Sequence, residues 1–204
     1  MHLLDQRIIG ILILLLLGSL VIVKRIATGS VLDKPGGDLL VRLVNTFNLF
    51  FLLIVSPVAA MLLITRRLEK IDPTHVATDA PSSLRVLESA GLVLYVMGFL
   101  LMAWALLSLG SNYQLGGTAP RGTDKMISVG PYGLVRHPMY AAALNISLGL
   151  ACLIQSLAFF SVFLVYLVLI ILLIPLEEKA LQQAYGREYA AYRQSRARLF
   201  PFIY

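Results

Sequence analysis

Long apolar runs follow one another along most of the chain, and a soluble fold of this size cannot bury all of them. A helix that crosses the hydrocarbon core of a bilayer needs about 20 mostly apolar residues. Of the 204 residues, 58% are hydrophobic and 14% are charged, whereas soluble domains have roughly 25% charged residues. The composition therefore indicates an integral membrane protein, and we expect a single membrane domain, 1–204.

We expect an all-α bundle of five transmembrane helices. The first run ends at Lys24-Arg25 and is predicted to be a retained anchor, because no small-residue cleavage pattern follows it. The last two runs form one apolar tract that is too long for a single crossing at about 1.5 Å per residue, and Gln155-Ser156 is its natural turn. The predicted helices are 8–26, 39–64, 86–109, 139–154 and 157–176, followed by an interfacial C-terminal segment, 177–204.

A polar motif precedes the last two helices, in residues 128–140, which read S-V-G-P-Y-G-L-V-R-H-P-M-Y. Arginine and histidine at the edge of a membrane are costly unless they bind or transform something polar. A tight helical hairpin returns its two ends to the same membrane face. Arg136 and His137 are therefore predicted to lie near Glu177 and Glu178, where the four side chains would form a polar pocket.

The basic residues lie in short segments between the apolar runs. The net charge of +6 could suggest nucleic acid, but this placement is typical of loops beside anionic lipid, so membrane lipids are the expected partner and nucleic acid is not. The loop 110–138 and the tail are basic, whereas the Gln155-Ser156 turn is uncharged. The pocket is therefore predicted to face the cytoplasm. The basic loop 65–85 conflicts with this orientation, since it would lie outside.

Metal and disulfide chemistry are not expected. Cys152 is the single cysteine, so no intramolecular disulfide can form, and its apolar surroundings favour a small buried side chain. Neither His2 nor His75 belongs to a cluster with zinc or iron spacing.

Several separated elements of the second half resemble one family. Residues 130–140 read G-P-Y-G-L-V-R-H-P-M-Y, Glu177-Glu178 follow the predicted hairpin, and residues 185–192 read Y-G-R-E-Y-A-A-Y. This order and spacing resemble the signature of the isoprenylcysteine carboxyl methyltransferases and the related phospholipid methyltransferases. One departure is Ala141-Ala142, which stand where a glycine commonly follows the tyrosine.

The resemblance implies a membrane-embedded enzyme that moves a methyl group from S-adenosylmethionine to a lipophilic acceptor, either a prenylcysteine carboxylate or a phospholipid amine. It implies catalytic roles for Arg136, His137 and Glu178. The sequence lacks the G-x-G-x-x-G fingerprint of dinucleotide-binding folds, so the donor must be bound by another architecture. The residues that the resemblance places in the cofactor pocket are Tyr132, Arg136, His137, Tyr140, Glu177 and Glu178.

The chemistry of the donor suits these residue types. An arginine fork can hold a carboxylate, carboxylates suit an ammonium group and ribose hydroxyls, and aromatic faces suit a sulfonium. A carboxylate acceptor needs no base, whereas an amine acceptor must first lose a proton to His137 or Glu178. Adjacent residues point about 100° apart on a helix, so we expect only one of Glu177 and Glu178 to face the pocket directly.

Other interpretations stay open. The two glutamates would also suit a solvated helix that continues to Tyr185, and Arg136 alone would suit an anionic head group. An NADPH-dependent sterol-type reductase has a similar hairpin, although such chains are longer, and a non-enzymatic membrane protein would use the charges as structural pairs. The tail would either lie over the pocket, with Arg196 or Arg198 near a negative group, or anchor the chain to the membrane surface. Nothing in the sequence indicates the oligomeric state.

Overall fold

Helices joined by loops make up the computed structural model, which describes residues 5–32, 37–76, 81–114 and 120–200. Within these ranges the extended pairings are two isolated bridges, His75 with Ser156 and Val135 with Ala197. The predicted all-α class is therefore confirmed for the described chain. The helices are α1 (Gln6–Thr28), α2 (Leu39–Phe50), α3 (Ser56–Ile64), α4 (Leu68–Ile71), α5 (Pro81–Leu109), α6 (Pro138–Ile154), α7 (Leu157–Tyr185) and α8 (Arg187–Ser195).

In the described ranges, four helical segments are long and apolar enough to cross a membrane. Helix α6 is also apolar, but its 17 residues are close to the shortest length that spans the hydrocarbon core. Large apolar side chains cover the outward faces of these helices, as lipid surroundings allow, for example Leu15, Val93 and Val168. The chain is therefore a multi-pass membrane protein. The four segments are Gln6–Thr28, Leu39–Ile64, Ser82–Asn112 and Leu157–Tyr185.

The second span contains a π-helical turn, Phe51–Val55, between α2 and α3. Pro57 follows it, and a proline inside a helix has no N–H to donate and its ring clashes with the preceding turn. The wider π-helical turn accommodates this defect without ending the helix, since α2 and α3 continue as one segment. Such turns are common at functional sites.

Helices α5 and α6 approach each other closely because glycines lie at their contact. A Cβ atom on Gly91 would lie 2.7 Å from Cys152 Cβ, and one on Gly98 would lie 2.9 Å from the carbonyl oxygen of Ala142. A Cβ atom on Gly149 would lie 2.6 Å from the backbone nitrogen of Tyr95. Small residues let membrane helices pack backbone to backbone, so this pair forms a rigid wall beside the site.

The hairpin turn predicted at Gln155-Ser156 is confirmed. Gln155 adopts a left-handed conformation with φ 56°, which ends α6, and the Ser156 hydroxyl caps α7 by accepting from the Phe159 N–H at 3.4 Å. The segment after α4 packs on this turn, because the Leu157 N–H donates to the Thr74 carbonyl at 3.1 Å.

Helix α7 continues to Tyr185 instead of ending near Leu176. The prediction counted apolar residues, whereas the helix is continued by good helix formers in the polar stretch 177–185. The polar end of α7 therefore extends beyond the apolar segment and carries Glu177 and Glu178 on a helix that also runs through the membrane.

The helix ends fall into two groups at opposite faces of the bundle. At one face, the C-terminal end of α1 meets the loop after α5, where the Lys24 ammonium lies 5.1 Å from the centre of the Tyr113 ring. At the other face, Arg66 forms a salt bridge of 2.6 Å with Asp5 at the start of α1. The polar motif and the C-terminal end of α7 belong to the first face, which we call the motif face.

The glycine contact makes a prediction about folding. Replacing Gly149 by alanine forces α5 and α6 apart, because the new methyl group meets backbone atoms that cannot rotate away. Overpacking of this kind costs about 1–3 kcal/mol. We expect a lower apparent melting temperature in detergent for Gly149→Ala. Gly18→Ala in α1 is the control, since nothing lies within 4 Å of that position, and equal melting temperatures for the two variants would contradict the packing described here.

Candidate functional site

The polar motif begins with a short 3-10 turn, Gly130–Gly133, that places Tyr132 in the interior. Gly130 has φ 62°, a left-handed value that favours glycine, and a Cβ atom there would lie 2.6 Å from Ser108 Oγ on α5. The turn is thus held against the last turn of α5, and a larger residue at this position would displace it.

The next part of the motif pairs with the C-terminal segment. The Arg136 N–H donates to the Ala197 carbonyl and the His137 N–H to the Arg198 carbonyl, both at 2.9 Å. Pro138 then begins α6 at the position where a missing N–H costs nothing. The chain around residues 196–198 therefore lies over the motif. The alternative of a tail that serves only as a surface anchor does not describe this segment.

Glu178 is the centre of a charged cluster that also contains Arg136, His137 and Arg198. Only 4% of Glu178 is exposed. Its Oε1 atom accepts from Arg136 Nε at 3.0 Å and from Arg136 Nη2 at 2.7 Å. His137 Nε2 lies 3.4 Å from the same oxygen. The other oxygen, Oε2, accepts from Arg198 Nη2 at 3.3 Å. The predicted proximity of Arg136 and His137 to the glutamate pair is confirmed, and Arg198 does lie near a negative group.

The Arg136 guanidinium connects three segments. Besides Glu178 on α7, it reaches the end of α8, where its Nη1 donates to the Arg193 carbonyl at 2.7 Å and also to the Arg196 carbonyl. These bonds use donors on all three guanidinium nitrogens. Arg136 therefore fixes the C-terminal segment and Glu178 at once, in addition to lining the cavity described below.

Glu177 has different surroundings from its neighbour. The Tyr140 hydroxyl donates to Glu177 Oε2, and His137 Nδ1 lies 4.0 Å from Glu177 Oε1. The rings of His137 and Tyr140 stack with centroids 5.6 Å apart. Glu177 lines the main cavity, while the Glu178 carboxylate is turned toward Arg136 and Arg198 behind that wall. As predicted, one glutamate of the pair faces the cavity directly.

The main cavity has a volume of about 470 Å³, which is within the range of small-molecule sites. It has two chemically different parts. The polar end lies at the motif face and is lined by Glu177, His137, Tyr140 and several further tyrosines. The second part, which we call the apolar limb, runs inward between α1, α2 and α5. Residues that line the apolar limb are Leu17, Leu20, Val21, Phe47, Phe51, Leu52, Leu53, Met102 and Leu106.

Tyrosines of α7 and α8 complete the polar end. Tyr185, Tyr189 and Tyr192 line the cavity together with Tyr132, and the Tyr192 hydroxyl donates to the Tyr132 carbonyl at 2.7 Å. Burial raises the pKa of the Tyr192 phenol to about 12. Burial, followed by the nearby Glu177 charge, raises the pKa of the Tyr132 phenol well above its usual value. Both phenols are therefore neutral hydrogen-bond donors at physiological pH.

Tyr189 was not predicted as a site residue. It is 2% exposed and lines the cavity, and within the described chain its hydroxyl has no hydrogen-bond partner. A buried hydroxyl of this kind normally binds something. The available signal was the three-residue spacing that places Tyr189 and Tyr192 on one helical face. The tyrosine and arginine content of the tail favoured an interfacial segment instead.

The loop after α5 closes the polar end from the side. Asn112, Gln114 and Asp124 line the cavity, and Asp124 Oδ2 accepts from the Arg121 N–H at 2.8 Å and from the Gln114 amide. Burial raises the pKa of the Asp124 carboxyl, but hydrogen bonds from Arg121 and Gln114 outweigh burial and leave the pKa below its usual value. The carboxylate is charged at neutral pH and ties the loop together. Sequence reasoning assigned no chemistry to this loop.

No group of three or more metal-ligating side chains occurs among the described residues, and His2 lies outside them. Cys152 is half-buried against Gly91. The sequence context predicted a small buried side chain, and the structure shows a half-buried one in the apolar helix α6.

The charged cluster makes a prediction about the C-terminal segment. Glu178→Gln leaves Arg136 without its buried counter-charge, and breaking a buried pair in this way costs about 3–5 kcal/mol. We expect faster amide hydrogen exchange in α8 and at residues 196–198, measured by mass spectrometry in detergent. The control is Glu69→Gln, an exposed carboxylate at the opposite face. Unchanged exchange in the C-terminal segment would show that Glu178 does not hold it.

Comparisons with known proteins give a family match and a curated relative. The sequence model of the family described as Phospholipid methyltransferase matches residues 87–188, which is half of the chain. Protein-S-isoprenylcysteine O-methyltransferase B of Arabidopsis thaliana is 29% identical over 118 residues, which are 55% of this chain and 58% of that protein. The chain thus spans less than two thirds of the length of that relative.

A solved structure has a similar fold. It is titled as the eukaryotic intramembrane Ras methyltransferase ICMT (isoprenylcysteine carboxyl methyltransferase) without a monobody. The TM-score is 0.55 at 20% sequence identity, and the match covers 79% of this chain and 74% of that chain. At this level of identity the likeness shows the arrangement of the helices.

Proposed function

Because the chain belongs to the phospholipid methyltransferase family, we propose that it transfers a methyl group from S-adenosylmethionine to a lipophilic acceptor inside the membrane. One observation carries the proposal: a single cavity joins the polar end beside Glu177 to the apolar limb between the helices. A charged donor from the aqueous phase and an acceptor from the lipid phase can meet in such a cavity without either crossing the whole bilayer.

The residues at the polar end suit the donor. Glu177 presents a carboxylate that can bind an ammonium group or ribose hydroxyls, and Tyr132 and Tyr185 present aromatic faces that suit a positively charged sulfur. The Tyr189 hydroxyl supplies a buried donor without a partner in the described chain. We assign donor binding to Tyr132, Arg136, His137, Tyr140 and Glu177, as the family resemblance implies, and we add Tyr189. Glu178, which the resemblance also includes, lies behind the cavity wall.

Arg136 and Glu178 act mainly by positioning. The guanidinium donates to Glu178 and to two carbonyls of the C-terminal segment, so its task is to hold the wall of the pocket and to contribute positive charge. Glu178 in turn fixes Arg136 and the His137 ring. The family resemblance implied direct catalytic roles for Arg136 and Glu178, and the geometry favours this indirect one.

His137 is the residue best placed to handle a proton. It is 4% exposed, lines the cavity and lies between the two glutamates. S-adenosylmethionine supplies a methyl group activated by a sulfonium. For a carboxylate acceptor the chain needs to provide alignment and exclude water. For an amine acceptor His137 would also take up the proton that the amine must lose.

We further propose that α6 is the fifth crossing and that the motif face is cytoplasmic. Helix α7 is long enough to cross the membrane and ends at the motif face, where the 17-residue α6 begins, so α6 must carry the chain across to the tight turn. Most of the basic residues lie at that face, at the C-terminal end of α1, the N-terminal end of α2, the loop after α5, the end of α7 and the tail, as the positive-inside rule requires. The minority at the opposite face are Arg7 and the basic residues from the end of α3 to the first turns of α5.

Donor binding is tested with Glu177→Gln. The variant removes the charge but keeps the shape, and a hydrogen bond to a charged group is worth about 1.5–3 kcal/mol, so we expect affinity for labelled S-adenosylmethionine to fall about 10- to 100-fold. Glu188→Gln, at an exposed position on α8, should bind normally. Saturable binding of NADPH instead would favour a reductase, and binding of neither compound would favour a non-enzymatic protein.

Orientation is tested with two single cysteines in a Cys152→Ala background. Lys70→Cys lies at the face opposite the motif and Gln194→Cys lies on α8, and both positions are exposed. A maleimide that cannot cross membranes should label Lys70→Cys in intact cells and Gln194→Cys only after permeabilisation. The reverse pattern would place the pocket on the other side of the membrane.

A further inference from the structure

Two asparagines on α2 lie in the apolar limb, where polar side chains are costly. Asn45 and Asn48 are three residues apart, so they share one face of the helix, and both line the cavity. Asn45 is 3% exposed. Hydrocarbon cannot satisfy an amide, so an asparagine inside the membrane bonds to another helix or to a molecule in a cavity.

Tyr166 on α7 orients the second asparagine. Its hydroxyl donates to Asn48 Oδ1 at 2.6 Å, and its ring stacks on Phe47 with centroids 4.9 Å apart. Tyr166 is 2% exposed and also lines the cavity. Because this bond engages the oxygen of Asn48, the amide N–H groups of that side chain are the donors available to a molecule in the cavity.

We call Asn45, Asn48 and Tyr166 the asparagine site. The position of Tyr166 separates this site from the polar end of the cavity. Tyr166 precedes Glu177 by eleven residues on α7, which corresponds to about 16 Å along the helix axis. Asn45 and Asn48 therefore do not face the reacting end of an acceptor whose head lies beside Glu177. They face a part of the acceptor that is nearer its tail.

We propose that Asn48, oriented by Tyr166, and its neighbour Asn45 bind a carbonyl oxygen in the linkage between the reacting head and the hydrocarbon chains of the acceptor. This inference rests on the proposed function and names the substrate class, a lipid with ester- or amide-linked chains. In a glycerophospholipid the acyl carbonyls lie several bonds from the head-group amine. An S-prenylated cysteine has no oxygen in its tail and would leave the asparagines unused.

The chemistry of the transfer is consistent with such an acceptor. The protonated head-group amine gives a proton to His137, and the neutral amine then uses its free electron pair to form the nitrogen–carbon bond. The carbon–sulfur bond of the donor breaks, and its electron pair returns to the sulfur. Asn45 and Asn48 take no part in this exchange, because they lie away from the reacting end. Their role is to determine which acceptor is held in line.

The test compares two phosphatidylethanolamines with equal heads and chain lengths, one with ester-linked and one with ether-linked chains, which lack the carbonyls. The wild-type protein in nanodiscs should methylate the ester lipid with the lower KM. A net hydrogen bond is worth about 0.5–1.5 kcal/mol, so Asn48→Leu should raise the KM for the ester lipid about two- to tenfold and remove the preference. Tyr166→Phe should shift this KM in the same direction with kcat unchanged.

Matched controls separate this inference from the proposed function. Asn145→Leu, on α6 and half-buried, should keep the preference for the ester lipid, and all variants should bind S-adenosylmethionine like the wild type. Loss of donor binding in the wild type would overturn the proposed function itself. Intact donor binding with an S-farnesylcysteine derivative as the sole methylated probe, or with equal KM values for ester and ether lipids, would overturn the role of the asparagines.

Discussion

The interaction on which the site depends is the ion pair between Arg136 and Glu178, with a separation of 2.7 Å. It joins residues 42 positions apart in sequence, and the same guanidinium holds carbonyls at the end of α8. A buried charge pair of this kind contributes little net stability compared with apolar packing. Its value is specificity, because α6, α7 and the C-terminal segment can satisfy these charges in one mutual arrangement.

Packing between the helices supplies the rigidity that such a pair needs. Lipid tails are as apolar as leucine side chains, so moving a side chain from lipid into the bundle gives no hydrophobic driving force. Close contact between the helices must therefore come from small residues. Gly91, Gly98 and Gly149 provide that contact between α5 and α6. The start of α6 is therefore fixed against α5, and His137 and Tyr140 are held where α7 returns with Glu177.

The sequence was sufficient for the parts of the fold that follow from length and periodicity. The apolar runs, the turn at Gln155-Ser156 and the meeting of the motif with the glutamate pair are local patterns or direct consequences of a hairpin. The continuation of α7 to Tyr185 was missed because the prediction counted apolar residues. The placement of the tail over Arg136 depends on long-range hydrogen bonds. The Asn48–Tyr166 pair was not predicted for the same reason, since its two residues lie on different helices and are 118 positions apart. Tyr189 was missed because the tyrosine and arginine content of the tail favoured an interfacial segment.

Helix α7 determines the spacing between the two polar parts of the cavity. Tyr166, Glu177 and Glu178 lie on a single continuous helix. The rise of that helix therefore fixes the distance between the asparagine site in the apolar limb and the polar end of the cavity. Pro175 lies between them without ending the helix. Under the proposed function, an acceptor that places its polar linkage at another distance from its reacting atom would lose one of the two sets of contacts. Selectivity would then arise from spacing along one helix as much as from the chemistry at either end.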